Sequence, residues 1–140
     1  MPEQSDSNTA RTIFLIEDDD DTRLHLKKNL RGQGYRVLVA ADVEDALEWM
    51  RATHIPADLM LIDLVGKSPN EVLRAGREIR SHSKYDGHTP LIVVPEIIPE
   101  ELEGTDENVD GNDWICYYDD ADQLRSLILR LTGKDSTQKP

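Results

Sequence analysis

The chain has 140 residues and a formal net charge of −12, with 38% hydrophobic and 31% charged residues. That length suits one domain with one core, the acid excess argues against a nucleic-acid binder, which needs a basic patch, and no apolar run nears the roughly 20 residues that span a bilayer. The start, MPEQSDSNTA, lacks the basic and apolar stretches of a signal peptide, and the single cysteine, Cys116, allows no internal disulfide, so a cytoplasmic, reducing setting is expected.

Residues 1–10 and 133–140 are polar and read as tails flanking a domain over 11–132. Five short apolar runs follow in chain order: TIFLI (12–16), YRVLVA (35–40), DLMLID (58–63), PLIVV (90–94) and WICYY (114–118). Continuous runs this short point to strands buried on both faces. Between them lie amphipathic stretches. Leu26 and Leu30 sit four apart in 21–31, and Gly32 and Gly34 stop that helix. Asp42 caps 43–52, with Ala46, Leu47 and Met50 inward. SPNE (68–71) is a capping box with Pro69 at the first helical position, ahead of Val72, Leu73 and Ile79. On that helix Arg74, Arg77 and Arg80 alternate with Glu71 and Glu78 and read as a solvated face. Asp120 or a neighbour caps the last helix, striped by Leu124, Leu127, Ile128 and Leu131. Residues 96–112, EIIPEELEGTDENVDGN, carry at most a short, poorly specified helix.

Strands alternating with helices imply an α/β doubly wound fold: a five-stranded parallel sheet with helices on both faces. Ligand sites in such sheets lie at the carboxyl ends of the strands. Glu17 to Asp21 follow the first strand and Asp63 ends the third, so Glu17, Asp18 and Asp63 converge if those strands are neighbours. An oxygen-only carboxylate set suits Mg²⁺, and an aspartate beside it can act as a nucleophile toward phosphorus. A solvated turn is the plainer alternative. The histidines His25, His54, His82 and His88 fall on separate elements with no second ligand at metal spacing, and read as solvated or edge residues. Cys116 lies within a strand with no basic activator beside it and reads as a buried small hydrophobe.

The segments FLIEDDDDTR, GYRVLVAADVEDALEWM, ADLMLIDL, TPLIVV and NDWI, in that order, resemble the receiver domain of two-component response regulators over about residues 11–132. The resemblance implies a flavodoxin-like (βα)5 fold. It implies Asp63 as phosphoacceptor and Mg²⁺ held by Asp18, Asp63 and the backbone carbonyl of Val65, with Glu17 acting mostly through water. A histidine kinase or phosphotransfer protein would be the donor. Asp19, Asp20 and Asp21 fall outside that set and belong to the start of the first helix, near its positive dipole end.

Three places depart from the family pattern. Pro95 stands where the family ends its fourth strand with a Ser or Thr, and offers neither hydroxyl nor N–H. Tyr117 and Tyr118 stand where it ends the fifth with Lys and a cis-proline. The loop DLVGKSPNE lacks the usual proline and Asp/Asn-Gly pair; Lys67 in it is a candidate to replace the missing ammonium, against the ordinary reading of a solvated loop lysine. Trp114 occupies the position of the family's switching aromatic.

Two functions compete. One is a stand-alone receiver that accepts a phosphoryl group on Asp63 and signals by protein contact. The other is a pseudo-receiver, a binding module without phosphorylation. A metal-dependent phosphohydrolase would want a second acid where Val65 stands, and a flavodoxin-like cofactor binder would want a phosphate-cradling loop. The resemblance places the effector on the face formed by helix four, strand five and the last helix, with Trp114, Tyr118 and the acidic 96–110 segment; helix four would order on binding. Receiver dimers use the same face, so a homodimer competes for it.

Overall fold

The structure is a computed structural model that describes residues 10–52, 57–82 and 89–133. The expected tails, except Ala10 and Gly133, and the histidines His54 and His88 lie outside the described residues. Strand β1 is Thr12–Glu17, followed by helix α1 (Asp20–Gly32), β2 (Arg36–Ala40), α2 (Val43–Ala52), β3 (Leu59–Asp63), α3 (Pro69–Ser81) and β4 (Leu91–Val93). A 3-10 turn at Glu100–Leu102 leads to β5 (Asp106–Asp110), β6 (Asp113–Cys116) and α4 (Ala121–Thr132). The sheet order is β2-β1-β3-β4-β6-β5, with every neighbour parallel except β5 and β6.

Local sequence accounts for the helix starts. The Asp19 carboxylate accepts from the Thr22 N–H at 2.9 Å and hydroxyl at 2.7 Å, which caps α1. Ser68 and Glu71 form the reciprocal capping box of α3 with Pro69 in its first turn. Asp120 accepts from the Gln123 N–H at 3.0 Å and caps α4.

Each parallel strand is covered on both faces, as its continuous apolar run requires. Phe14, Ile16, Met60, Ile62 and Val93 pack with Ala46, Met50, Val72 and Ile79 on one side. Ile13, Leu15, Leu59, Leu61 and Ile92 pack with Leu30, Leu124, Leu127 and Ile128 on the other. Helix α3 approaches closely because residue 76 is glycine: a Cβ there would lie 2.9 Å from a Leu91 methyl.

The sheet corrects two expectations. It has a sixth strand, and no fourth crossover helix lies between β4 and β6, so the expected partner face of helix four, strand five and the last helix becomes the β5–β6 hairpin and α4. Pro99 and the positive-φ glycines Gly104 and Gly111 break 96–112 into turns. In a helix its acids would stack at three- and four-residue spacing and repel. As a ribbon they spread along an exposed edge, where charge also discourages pairing with another sheet. The Tyr117 N–H donates to the Thr105 carbonyl at 2.9 Å and the Gly104 N–H to the Tyr117 carbonyl at 2.8 Å, so the ladder runs on past β6. Gln123 on α4 donates to Asp106 at 2.8 Å and fastens the hairpin to the domain.

The second correction concerns the arginines of α3. Arg80 is only 12% exposed along its side chain and pairs with Asp113 at 2.6 Å; Arg77 joins it at 2.7 Å. Helical spacing could not show that β6 begins with a buried carboxylate opposite that face.

Candidate functional site

The parallel register of β1 and β3 sets Glu17 directly beside Asp63 at the carboxyl edge of the sheet. Asp18, the next residue, reaches over the loop after β3 and accepts the Val65 N–H at 2.9 Å. Glu96, just after β4, accepts the Gly66 N–H at 2.7 Å. Three strand ends thus bring four carboxylates around one crevice, Asp63 among them. Sequence reasoning named Glu17, Asp18 and Asp63 but not Glu96; its place immediately after the fourth strand was the signal.

Glu17 is 1% exposed. Its Oε2 accepts the Asp19 N–H at 3.1 Å, while Oε1 is buried and receives no N–H or O–H from the described residues. Burial, then the adjoining carboxyl of Asp63, pushes Glu17 up to about 9. Burial raises Asp63 too; its hydrogen bond with Glu17 acts the other way, and Asp18, Glu96 and Asp19 add to the rise. Ionising both carboxyls together is therefore disfavoured, the usual outcome when like charges share a buried place. Arg23, six residues after Glu17, donates instead to the Glu17 carbonyl at 2.9 Å and pairs with Asp20. Among the described residues no cation forms an ion pair with Glu17, Asp18 or Asp63.

The chain matches no family model and no curated protein. Solved structures do match. Vibrio cholerae chemotaxis protein CheY4 superposes with a TM-score of 0.64 at 21% identity, covering 88% of this chain and 99% of that one. The receiver domain of a sensor histidine kinase from Pseudomonas aeruginosa PAO1, solved with a magnesium ion in its active-site cleft, gives 0.61 at 24% identity over 89% and 99%. A response regulator from Thermotoga maritima in complex with Mg²⁺–BeF gives 0.60 at 21% identity over 86% and 98%.

The chain has the receiver fold.

Within the receiver fold Pro95, Tyr117 and Tyr118, the positions expected to depart from the family pattern, take different places. Pro95 is buried just beyond β4. Tyr117 is 6% exposed within the α2/α3-side core, and its hydroxyl donates to Glu107 on β5 at 3.0 Å. The neighbouring Tyr118, 39% exposed, lines a cavity of about 430 Å³ together with Asp63. Strand alternation is the reason: consecutive residues face opposite sides of the sheet, so only one tyrosine can share Asp63's side. Trp114 lies beneath Arg130 of α4, whose guanidinium carbon is 5.1 Å from the ring centroid, a cation–π contact. Lys67 is exposed and its charge acts on Glu71. Cys116 is fully buried, and burial, then Asp106, pushes its thiol up to about 12, which leaves it unreactive. His25, read as a solvated residue, is exposed but also lines the Asp63 cavity, one turn of α1 beyond Asp21.

The donor chemistry fits Mg²⁺. All the side chains are oxygen donors, their charge is uncompensated, and Glu17 Oε1 lacks a partner. Among the described residues no group of three or more His, Cys, Asp or Glu side chains is arranged to hold a metal ion, so the fit rests on donor type and charge, for a cation that keeps most of its waters and takes few protein ligands. No helix of the described residues is long and apolar enough to cross a membrane.

Proposed function

We propose that the chain works as a receiver module that accepts a phosphoryl group on Asp63, with Mg²⁺, from a histidine kinase or phosphotransfer protein, and signals by protein contact. The observation that carries this reading is the β1–β3 register, which pairs Glu17 with Asp63 beside the tethered Asp18. Asp18, Asp63 and the Val65 carbonyl would hold the ion, with Glu17 behind them. Bound Mg²⁺ supplies charge neutralisation for the crevice and the transferring group. An ionised Asp63 oxygen attacks phosphorus; the new P–O bond forms as the donor's P–N bond breaks, and the leaving imidazole keeps the electron pair and takes a proton. The backbone N–H groups of Val65 and Gly66, now bonded to Asp18 and Glu96, are the donors on the acceptor's own loop that an incoming phosphoryl oxygen would compete for.

Intact mass after incubation with Mg²⁺ and acetyl phosphate tests the reading. A gain of one phosphoryl group is expected in the natural chain, and none in Asp63→Asn or without Mg²⁺. A natural chain that stays unmodified, even with a histidine phosphotransfer donor, would overturn it. That result favours the pseudo-receiver, for which buried Pro95 and the outward commitment of the Tyr117 hydroxyl to Glu107 are the specific support.

A further inference from the structure

The cavity that opens beside Asp63 lies between α1 and α4 and measures about 430 Å³. That falls in the roughly 300–1,000 Å³ range of small-molecule clefts, which are mostly apolar with a few convergent polar groups. Leu61 and Val94 form its floor on the sheet, and Leu26 and Leu124 its walls. Asp63, Asp21 and Tyr118 line it as well, and Asp21 and Tyr118 are exposed. The charged side chains acting most strongly on Asp63 are Glu17, Asp18, Glu96 and Asp19, all acidic. His25 is the only base among the lining residues.

We propose that this cavity binds a small amphiphilic amine: an apolar, preferably aromatic body with one ammonium group. The body fits the aliphatic floor and walls. The ammonium meets Asp21 and Asp63 as charge-assisted partners and gains from the Tyr118 ring face, which attracts cations. An anionic ligand would add like charge to a crevice whose acids form no ion pair with a cation among the described residues. A single lysine or arginine side chain from a partner would leave much of the volume unfilled and forfeit contacts with the apolar walls. Where the ammonium sits on Asp63 it masks that carboxylate from a phosphodonor; this consequence, and only this one, rests on the phosphoacceptor reading above.

The test is an amide chemical-shift titration of the full chain without Mg²⁺, at a pH of about 8, where an ordinary imidazole is uncharged. The probes are tryptamine and its neutral counterpart tryptophol. Tryptamine is expected to bind saturably with a Kd below about 1 mM, with tryptophol roughly tenfold weaker or more. Shifts should centre on Leu26, Val94, Tyr118 and Leu124. Val94→Phe, which fills the floor, should abolish binding; Asp21→Asn, at an exposed position in the first turn of α1, should weaken it several-fold for tryptamine and leave tryptophol unchanged. No saturable binding, equal affinity for the two probes, or shifts centred elsewhere would overturn the proposal. Phosphorylation is read separately by mass. A chain that binds tryptamine but never gains a phosphoryl group defeats the acceptor reading alone; a chain that is phosphorylated but ignores tryptamine defeats this proposal alone.

Discussion

Two buried carboxylate groups sit at opposite ends of the same sheet. At the carboxyl end, Glu17 lies beside Asp63 and is pushed up to about 9, by burial first and then by that neighbour. At the amino end of β6, Asp113 is 4% exposed; burial pushes its carboxyl up, but Arg80 and Arg77 outweigh it and hold the group below the usual carboxylate range. Burial is nearly equal in the two places, so the partners decide. One end spends two guanidinium groups to close its charge. The other leaves its charge open, as expected of a place that receives a cation.

The largest test breaks the closed end. Asp113→Ala leaves Arg80 largely buried without its counter-charge, and removing one member of a buried pair costs about 3–5 kcal/mol. The unfolding free energy read from urea denaturation should fall by that amount; a loss under about 1 kcal/mol would mean that the arginines simply turn to solvent.

The open end should answer in the opposite direction. Glu17→Gln removes a carboxylate that has no compensating cation, so without Mg²⁺ it should stabilise the fold at neutral pH by about 1–3 kcal/mol. The pH dependence follows from the same shifts. An unfolded Glu17 loses its proton near 4.5 and the folded one near 9, so the folded state binds more protons between those values and stability falls as pH rises across them. The folded Asp113 lies below its ordinary 3.8, so its contribution is complete above that pH and is lost as pH falls through the folded value. Mg²⁺-free stability measured against pH should therefore decline from both sides of a mildly acidic maximum, and Glu17→Gln should flatten only the alkaline side.

A smaller effect sharpens the role of the open charge. Glu96→Gln keeps an oxygen to accept the Gly66 N–H and removes one negative charge acting on Asp63. Phosphorylation by acetyl phosphate should speed up about fivefold, equivalent to ~1 kcal/mol of barrier; the initial rate of mass gain reads it. The smallest effect lies away from both ends. Tyr117→Phe deletes the hydroxyl that donates to Glu107 and should cost ~1 kcal/mol without changing the phosphorylation rate, because that hydroxyl faces the hairpin. A lost rate with unchanged stability would instead assign Tyr117 to the site.

The parts of the fold that were legible are those built from local signals. The five buried strands, the Ser68–Glu71 capping box and the stripe of Leu124, Leu127 and Ile128 all stand where apolar runs and caps put them. The hairpin was missed because weak elements depend on a partner: β5 is exposed almost throughout and exists by pairing with β6. The turn residues Gly111 and Asn112 between the two strands were its one local signal. The arginine face of α3 was misread for a similar reason, since its counter-charge lies on a strand more than thirty residues away.

By itself the amino-acid sequence determined the alternation of strand and helix, the helix caps, and which acids stand at the ends of β1 and β3. Those features depend on residues within one or two turns of each other, where periodicity and capping chemistry act. Only the tertiary structure decided which acids stay unpaired, which tyrosine shares Asp63's side of the sheet, and that a cavity opens there between α1 and α4. These depend on register, on the alternation of faces and on the spacing of helices distant in sequence, and so on contacts that no local pattern encodes.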